Sequence, residues 1–469
     1  MNLRHSLLLP LLAAPTLSCG QTESNQAPAP MDVVVLSIDT IRADALGSYG
    51  STKNLTPHLD ALAAKGVRFD DTIAPMATTF PSHSSMFTGL YPRAHGVRWN
   101  GHSLAEEHLT MAELLQKDGY ATGAFVSYKA MVARGGLDQG FDVVSDETIA
   151  AGPKTHEERI RSGAEVNRLT FEYFDTQVAD SGKPMFLWLH YFEPHSPYPM
   201  TEYAKERLGD YDGPLADGAD VEEFFGLGQK KNRTEEAVRV MQDLYDGRVK
   251  DTDDLVGELL AGLEERGRLD NTIFVVIGDH AQLLGEHGRY GHGSILWQDV
   301  LQIPFFIIDP RDTAASVVSQ RVSLVDMMPT LLEMLGKEVP GGMQGRSLVP
   351  ALEGKAMEDY VYFAEVRIAN PRQVRAEGQG ESVAAFEGSY KLVLEGERIS
   401  LYHLDDDPEE ATPLALEEHA ELVAKLRPLA NYHKQMPVGS ITESEEMSPE
   451  MLEELQALGY VDTETGEGK

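Results

Sequence analysis

The stretch Thr78-Thr79-Phe80-Pro81-Ser82-His83, continued by Thr88-Gly89-Leu90-Tyr91-Pro92 and His95-Gly96-Val97, sets a hydroxyl just ahead of a proline that opens a helix-like segment. Proline suits the first turn of a helix, so Thr79 is expected at a helix N-terminus, where unpaired N–H groups and the positive dipole end can meet an anion. An alcohol attacking an anionic ester belongs in such a place. A threonine hydroxyl is a feeble nucleophile until a base or a metal acts on it. Groups able to do so stand elsewhere: Asp39 ends the apolar run Val33–Ile38, and Asp279-His280 follows Thr272–Ile277. A carboxylate at the end of a buried strand must be paired, hydrogen-bonded or metal-bound. Capping the next turn explains Asp39 alone equally well; Asp279-His280 at the end of a second strand tips the balance towards a metal.

The elements that must position these residues alternate from Met31 onwards. Strand-like runs at Val33–Ile38, Thr122–Val126, Met185–Tyr191, Thr272–Ile277 and Pro304–Ile308 are nearly continuous in β-branched and large apolar residues, as parallel strands covered on both faces require. Helical patterns fall between them at Thr56–Lys65, Leu109–Asp118, Glu157–Asp175, Glu235–Arg266 and Ser323–Leu335. The alternation predicts a doubly wound α/β/α sandwich with ligands at the carboxyl ends of the strands, where Asp39 and Asp279 lie. From about residue 355 the texture changes to short strands at Tyr360–Glu365, Ser389–Leu394 and Arg398–Leu404, then a helix at Leu414–Tyr432. The expected organisation is a catalytic domain over 31–354, a small α+β subdomain over 355–435 and a loosely packed acidic tail over 436–469.

With 40 basic and 75 acidic residues the formal charge is −35, which argues against nucleic acid as a partner, since phosphate binding needs basic stripes. No acidic loop has EF-hand spacing, so the charge reads as a solvated surface. Residues 1–19 read as a secretory signal: Arg4 and His5 precede an apolar run from Leu7 to Leu17 too short to anchor in a bilayer, and Cys19 follows as the only cysteine. Cys19 lies where bacterial lipoproteins carry their lipidated cysteine, with residues 20–30 as a polar tether, although Leu17 sits one place nearer the cysteine than usual. The expectation is an exported lipoprotein of the cell envelope (outer membrane or periplasm) or a secreted protein, meeting the membrane only through a lipid anchor.

Four ordered motifs resemble the sulfatases of the alkaline phosphatase superfamily: the Asp39 strand, the Thr79 helix, Leu187-Trp188-Leu189-His190-Tyr191-Phe192-Glu193-Pro194-His195 and Gly278-Asp279-His280 with Leu284-Gly285-Glu286-His287-Gly288 and Gly291-His292-Gly293. The resemblance implies an alkaline phosphatase-like sandwich with a large, mostly parallel sheet and a small antiparallel C-terminal subdomain. It implies one divalent cation held by Asp39, Asp279 and His280, with the Thr79 oxygen completing the site. Where sulfatases have a cysteine or serine nucleophile and a following arginine, this chain has Thr79 and His83; where they have a second acidic residue, it has Thr40. One carboxylate fewer and an imidazole nitrogen favour Zn²⁺ or Mn²⁺ over Mg²⁺ or Ca²⁺. Threonine offers no route to formylglycine, so none is expected.

Thr79-Phe80-Pro81-Ser82-His83 also resembles the Thr-Phe-Pro-Asn-His motif of nucleotide pyrophosphatase/phosphodiesterases, which form a phosphothreonine at two zinc ions. Asn100 matches their asparagine for a phosphoryl oxygen; its plain alternative is a turn residue beside Gly101. His195 stands where that family needs an aspartate for its second zinc, which implies a single metal here, with His195 on the substrate and His292 giving a proton to the leaving oxygen. The plain alternatives are a loop histidine held by its proline-rich turn and a surface residue between glycines. His190, Glu286 and His287 read as supporting or packing residues. The expected activity is hydrolysis of phosphate diesters or phosphonate esters through Thr79; the alternatives are a true sulfatase of sulfated organic molecules or glycans, a phosphoethanolamine-type transferase, or a lipoprotein that binds without turnover.

Overall fold

Every residue of β1 (Asp32–Ile38) is buried, and its side chains enter two different cores by turns. Val33 and Val35 join one cluster, while Val34, Leu36 and Ile38 join the other. A strand covered on both faces cannot alternate with polar residues, so its apolar continuity is a direct imprint of the layer it occupies.

The computed structural model describes residues 30–128, 130–133, 135–145, 160–218, 221–225, 232–293, 295–312, 314–367 and 381–442. Cys19, the signal-like segment and all of the tether but Pro30 lie outside the described residues, as do positions 443–469 of the acidic tail. The chain from Met31 onwards forms one unit. Its main sheet has nine strands: β1, β2 (Val67–Ile73), β3 (Ala121–Val126), β4 (Val143–Val144), β5 (Met185–Tyr191), β6 (Thr272–Gly278), β7 (Gln302–Ile308), β8 (Ser316–Val318) and β9 (Val322–Ser323). The order is β8-β2-β7-β6-β1-β5-β3-β4, with β9 also on β2. On one face pack α2 (Thr79–Thr88), α3 (Met111–Lys117) and α6 (Met327–Met334); on the other pack α1 (Pro57–Ala63), α4 (Gly163–Tyr173) and α5 (Glu235–Glu265). This is the expected sandwich. Among the described residues no helix is long and apolar enough to cross a membrane.

Several details differ from the sequence reading. β7 runs antiparallel to both neighbours, and its register against β2 shifts between Ile303 and Phe305. Pro304 lies in that step and has no N–H for the ladder. β2 was not expected at all, because Arg68, Asp70 and Asp71 break its apolar pattern. These are instead edge-on ion pairs, Arg68 with Asp70 and Arg321 with Asp71, each at 2.7 Å. α4 starts at Gly163, capped by the Ser162 hydroxyl, and positions 157–159 of the expected helix lie outside the described residues.

The C-terminal part is an antiparallel sheet of β10 (Tyr362–Arg367), β11 (Glu381–Glu387), β12 (Tyr390–Glu395) and β13 (Arg398–His403), with α7 (Ala420–Gln435) against it. β11 was missed, and α7 begins six residues later than expected, after a 3₁₀ turn at Leu416–His419. The start of the supposed loose tail is docked: Ile441–Thr442 pairs with Ser103–Leu104, and the Gly439 N–H donates to Arg93 O at 2.9 Å. Buried polar contacts tie this part to the catalytic loops. Arg98 meets Glu365 at 2.8 Å, His433 meets the other oxygen of Glu365 at 2.8 Å, and Lys391 pairs with Glu410 and with Leu296 O.

The parallel pairing sets Ser37 beside His190, and Ile38 beside Tyr191 and Gly278. The carboxyl ends of β1, β5 and β6 are therefore level, and the chains leaving them open one shared crevice.

Candidate active site

Asp39 follows β1, and its N–H is still held by Tyr191 O at 2.9 Å. The next residue, Thr40, has a φ of +51°, which a β-branched side chain adopts only when its surroundings enforce it. Here they do. The Thr40 N–H donates to Asp279 Oδ1 at 3.2 Å and its carbonyl accepts from the Tyr245 hydroxyl at 3.1 Å, while Arg42 N–H donates to the same hydroxyl. Arg42 then reaches across to Glu286 at 2.7 Å and to Gln282 O at 3.0 Å, so the turns after β1 and β6 are locked together. Glu286 is thereby a supporting residue, as read. His287 packs on Trp297 and bonds Asp299, away from the crevice.

Thr79 is the first residue of α2, a helix buried along its whole length and closed by Gly89 at φ +67°. The first turn is less open to an anion than the sequence suggested. The Phe80 N–H donates to Asn100 Oδ1 at 2.8 Å, Pro81 has no N–H, and the Ser82 N–H donates to Thr78 O. Asn100 is thus a helix cap through its oxygen, while its buried Nδ2 has no partner. Side-chain donors and the helix dipole must carry the anion recognition that free backbone N–H groups were expected to give.

The Thr79 hydroxyl lies 3.4 Å from His280 Nε2. That nitrogen is 3.5 Å from Asp279 Oδ2 and 3.9 Å from Asp39 Oδ1. His280 Nδ1 contacts Ala281 O at 3.1 Å; a carbonyl only accepts, so Nδ1 carries the hydrogen and the Nε2 lone pair faces the two carboxylates. All four residues are fully buried. Burial pushes both carboxyl groups well above their usual range; the Thr79 hydroxyl pulls Asp39 back in part, and the nearness of Asp39 raises Asp279 further. Burial likewise pushes His280 down to about 3, which keeps it neutral.

Asp39 Oδ1 and Oδ2 and Asp279 Oδ2 have no hydrogen-bond partner. Two carboxylates without water or a cation are among the costliest things a protein interior can hold. A divalent ion satisfies them, and Asp39, Asp279 and His280 have ligand atoms close enough together to bind one. The residues present therefore fit a metal.

His195 and His292 lie at the mouth of the same crevice, Nε2 to Nε2 at 3.2 Å, with the His292 ring 4.4 Å from that of His280. Phe192 stacks on His195, and Gln282 bridges Pro194 O and the Tyr198 hydroxyl, holding the His195 loop to the Asp279 loop. Burial lowers the pKa of His292 well below its ordinary value, and His280 adds to this. Asp39, Thr79, Asp279, His280, His195 and His292 are thus brought together, with Asn100 joined through Phe80.

Two residues were missed. His83 Nδ1 contacts Thr79 O at 2.8 Å and its Nε2 contacts Ser37 Oγ at 2.9 Å, which fastens the nucleophile's own carbonyl to β1. His190, taken above for a supporting or packing residue, lies 3.5 Å from Asp39 Oδ2. The available signal was a histidine inside an otherwise apolar strand, Phe186–Tyr191.

A buried threonine facing carboxylates and a metal-ready imidazole, at the carboxyl ends of a doubly wound sheet, defines a hydrolase of sulfate- or phosphate-type esters of the alkaline phosphatase superfamily. The sulfatase family model matches residues 31–337, and that of the N-sulphoglucosamine sulphohydrolase C-terminal region matches residues 285–435. The chain belongs to the sulfatase family. It is 25% identical over 431 residues to the N-acetylglucosamine-6-O-sulfatase of Bacteroides thetaiotaomicron, covering 76% of this chain and 77% of that one. It is 27% identical over 402 residues to the multifunctional alkaline phosphatase superfamily protein PehA of Trinickia caryophylli, covering 69% and 77%. The crystal structure of the phosphonate monoester hydrolase of Agrobacterium radiobacter superposes with a TM-score of 0.68 at 22% identity, over 85% of this chain and 96% of the other.

Proposed function

We propose that this enzyme hydrolyses phosphate diesters or phosphonate monoesters, with Thr79 as a covalent nucleophile and a single divalent ion, Zn²⁺ or Mn²⁺, at Asp39, Asp279 and His280. The observation that carries the reading is the Thr79 hydroxyl at a helix N-terminus, 3.4 Å from His280 in a pocket of orphaned carboxylate oxygens. When bound, the metal would lower the effective pKa of the hydroxyl and neutralise charge on the transferred group. The chain's own residues do the rest. The first turn of α2, fixed by Asn100 and His83, aims the hydroxyl. The Asn100 Nδ2 donor is available to an oxygen of the transferred group, and the His195–His292 pair holds a proton for the leaving oxygen. The leaving oxygen departs with that proton, and water then attacks the Thr79-bound phosphate or phosphonate ester from the vacated side, returning Thr79 as a free hydroxyl.

The donor set of two carboxylates and an imidazole supports a borderline metal over Ca²⁺. Likeness to a sugar sulfatase supports a second reading, in which the substrate is a sulfated organic molecule or glycan. Steady-state rates on matched nitrophenyl phosphate diester, phosphonate, phosphate monoester and sulfate, with metal content measured on the same sample, test both. Faster turnover of the sulfate overturns the first reading. The lipobox-like Cys19 supports attachment to the cell envelope, tested by metabolic labelling with palmitate in cells carrying Cys19→Ser.

A further inference from the structure

His190 is fully buried near the end of β5, and neither of its ring nitrogens has a hydrogen-bond partner. A polar group left so in a dry interior loses the hydration it had in water with nothing in exchange, and native structures rarely leave one without a reason. Its Nε2 is 3.5 Å from Asp39 Oδ2, and its ligand atoms lie within 4.8 Å of those of Asp279. His83 stands in the same group but is spent, with Nδ1 on Thr79 O and Nε2 on Ser37 Oγ. Ser37 in turn accepts from Trp188 Nε1 at 2.9 Å, so no hydroxyl there remains for His190.

The spacing is that of a coordination shell. Donors about 2.0–2.2 Å from a tetrahedral or more crowded ion stand roughly 3–3.6 Å apart. The Thr79–His280, His280–Asp279 and His190–Asp39 gaps are 3.4, 3.5 and 3.5 Å, and His280–Asp39 is wider at 3.9 Å, with Asp279 common to the two groups of ligand atoms that hold His190 and His280. Thr40, next to Asp39, carries no carboxylate, and its own Oγ1 is buried without a partner.

We propose that His190 Nε2 is a direct ligand of the divalent ion, making the protein donor set Asp39, Asp279, His190 and His280 beside Thr79. The inference rests on the metal reading under Proposed function and deepens it. Two imidazoles and two carboxylates suit Zn²⁺ and disfavour Mg²⁺ and Ca²⁺, which take oxygen ligands.

X-ray absorption on the full chain loaded with Zn²⁺ counts the imidazoles directly. Two are expected in the wild type and one in His190→Gln, with zinc affinity in the variant lowered by about 100-fold or more. Circular dichroism melts establish whether His190→Gln folds; if it does not, the wild-type count alone decides. Zinc bound through one imidazole in the wild type overturns the inference and leaves the metal reading standing, even if His190→Gln weakens binding by loss of support for Asp39. A chain that binds neither Zn²⁺ nor Mn²⁺ overturns both.

Discussion

His195 and His292 meet through their Nε2 atoms at 3.2 Å. Each ring turns its Nδ1 to a backbone carbonyl, Ser196 O for one and Ala77 O for the other. Carbonyls accept only, so both Nδ1 atoms keep their hydrogens and the two Nε2 lone pairs face each other, a place for one proton although burial disfavours the charged form at rest. The pair is thus a proton store at the mouth of the crevice. We expect His292→Ala to slow esters with alkoxide leaving groups by about 10²–10⁴-fold and activated nitrophenyl esters far less. A leaving-group series at fixed pH measures this. Equal losses across the series would assign His292 to binding.

Asp39, Asp279 and His280 share one cluster of orphaned or inward-facing donor atoms. Alanine at any of the three should remove bound metal and activity together while the protein stays folded, because each is one ligand of few. Inductively coupled plasma measurements beside circular dichroism check the outcome. Stoichiometric metal in all three variants would end the assignment.

Asn100 has two separable roles. Its Oδ1 caps Phe80 N–H, and its Nδ2 is an unpartnered buried donor. We expect Asn100→Ala to lose both, at about 1 kcal/mol of stability for the cap. Asn100→Asp keeps an acceptor for Phe80 but replaces the donor by a negative oxygen. It should therefore retain most of the thermal stability and lose about 10²–10³ in kcat. An active Asn100→Asp would leave the residue as a helix cap alone.

Glu365 couples the C-terminal sheet to the loop of Asn100. Burial pushes its pKa up, but His433 and Arg98 more than offset this, so the net shift is downward. A carboxyl with a lowered folded-state pKa stabilises the fold above the ordinary glutamate range, and that contribution fades as pH falls through it. The wild type should lose stability on acidification below about pH 4.5, and part of that loss should be missing in Glu365→Gln. At pH 7 the variant should be less stable by about 1–3 kcal/mol, since Arg98 keeps Glu381 at 2.7 Å but loses its buried charged partner. Denaturant titrations at both pH values read the two effects.

How far the sequence reveals this molecule depends on which physical signal each residue leaves. The strands that lead to Asp39 and Asp279, and the one that holds His190, are nearly continuous in apolar residues because both faces are covered, and that continuity is visible in one dimension. β2 is not, because Arg68 and Asp70 neutralise each other along the strand and Asp71 is neutralised by Arg321, which only the fold brings near. Asp39, Thr79, Asp279 and His280 stand at ends of elements, where a buried polar residue is conspicuous. His83 escaped because its two partners, Thr79 O and Ser37 Oγ, come from a turn of its own helix and from a strand 46 residues earlier. The use of Phe80 N–H by Asn100 likewise needs a contact across 20 residues, so the sequence overstated the free donors of the first turn.

Thr79 bears directly on the choice between phosphorus and sulfur. Thr79 carries a methyl on Cβ, so no oxidation leads from it to the aldehyde on which family members with cysteine or serine rely. Without a hydrated aldehyde there is no collapse to a carbonyl that could expel sulfate, and water must attack the transferred group itself. In a phosphate diester or phosphonate monoester the single negative charge is spread over two non-bridging oxygens, against three in a sulfate ester, so each oxygen offers more charge to a divalent ion and to the Asn100 donor. We therefore expect an unmodified threonine in the tryptic peptide that contains residue 79, and a mass gain of the alkyl- or arylphosphoryl group when a phosphate diester is quenched in acid during turnover. Thr79→Ser should keep measurable activity and Thr79→Ala should lose about 10³-fold or more. Phosphate diesters or phosphonates should outrun the matched sulfate in the wild type. An aldehyde at residue 79, or a sulfate turned over faster than its phosphorus counterparts, would show that this site works as a sulfatase by a route that its threonine does not suggest.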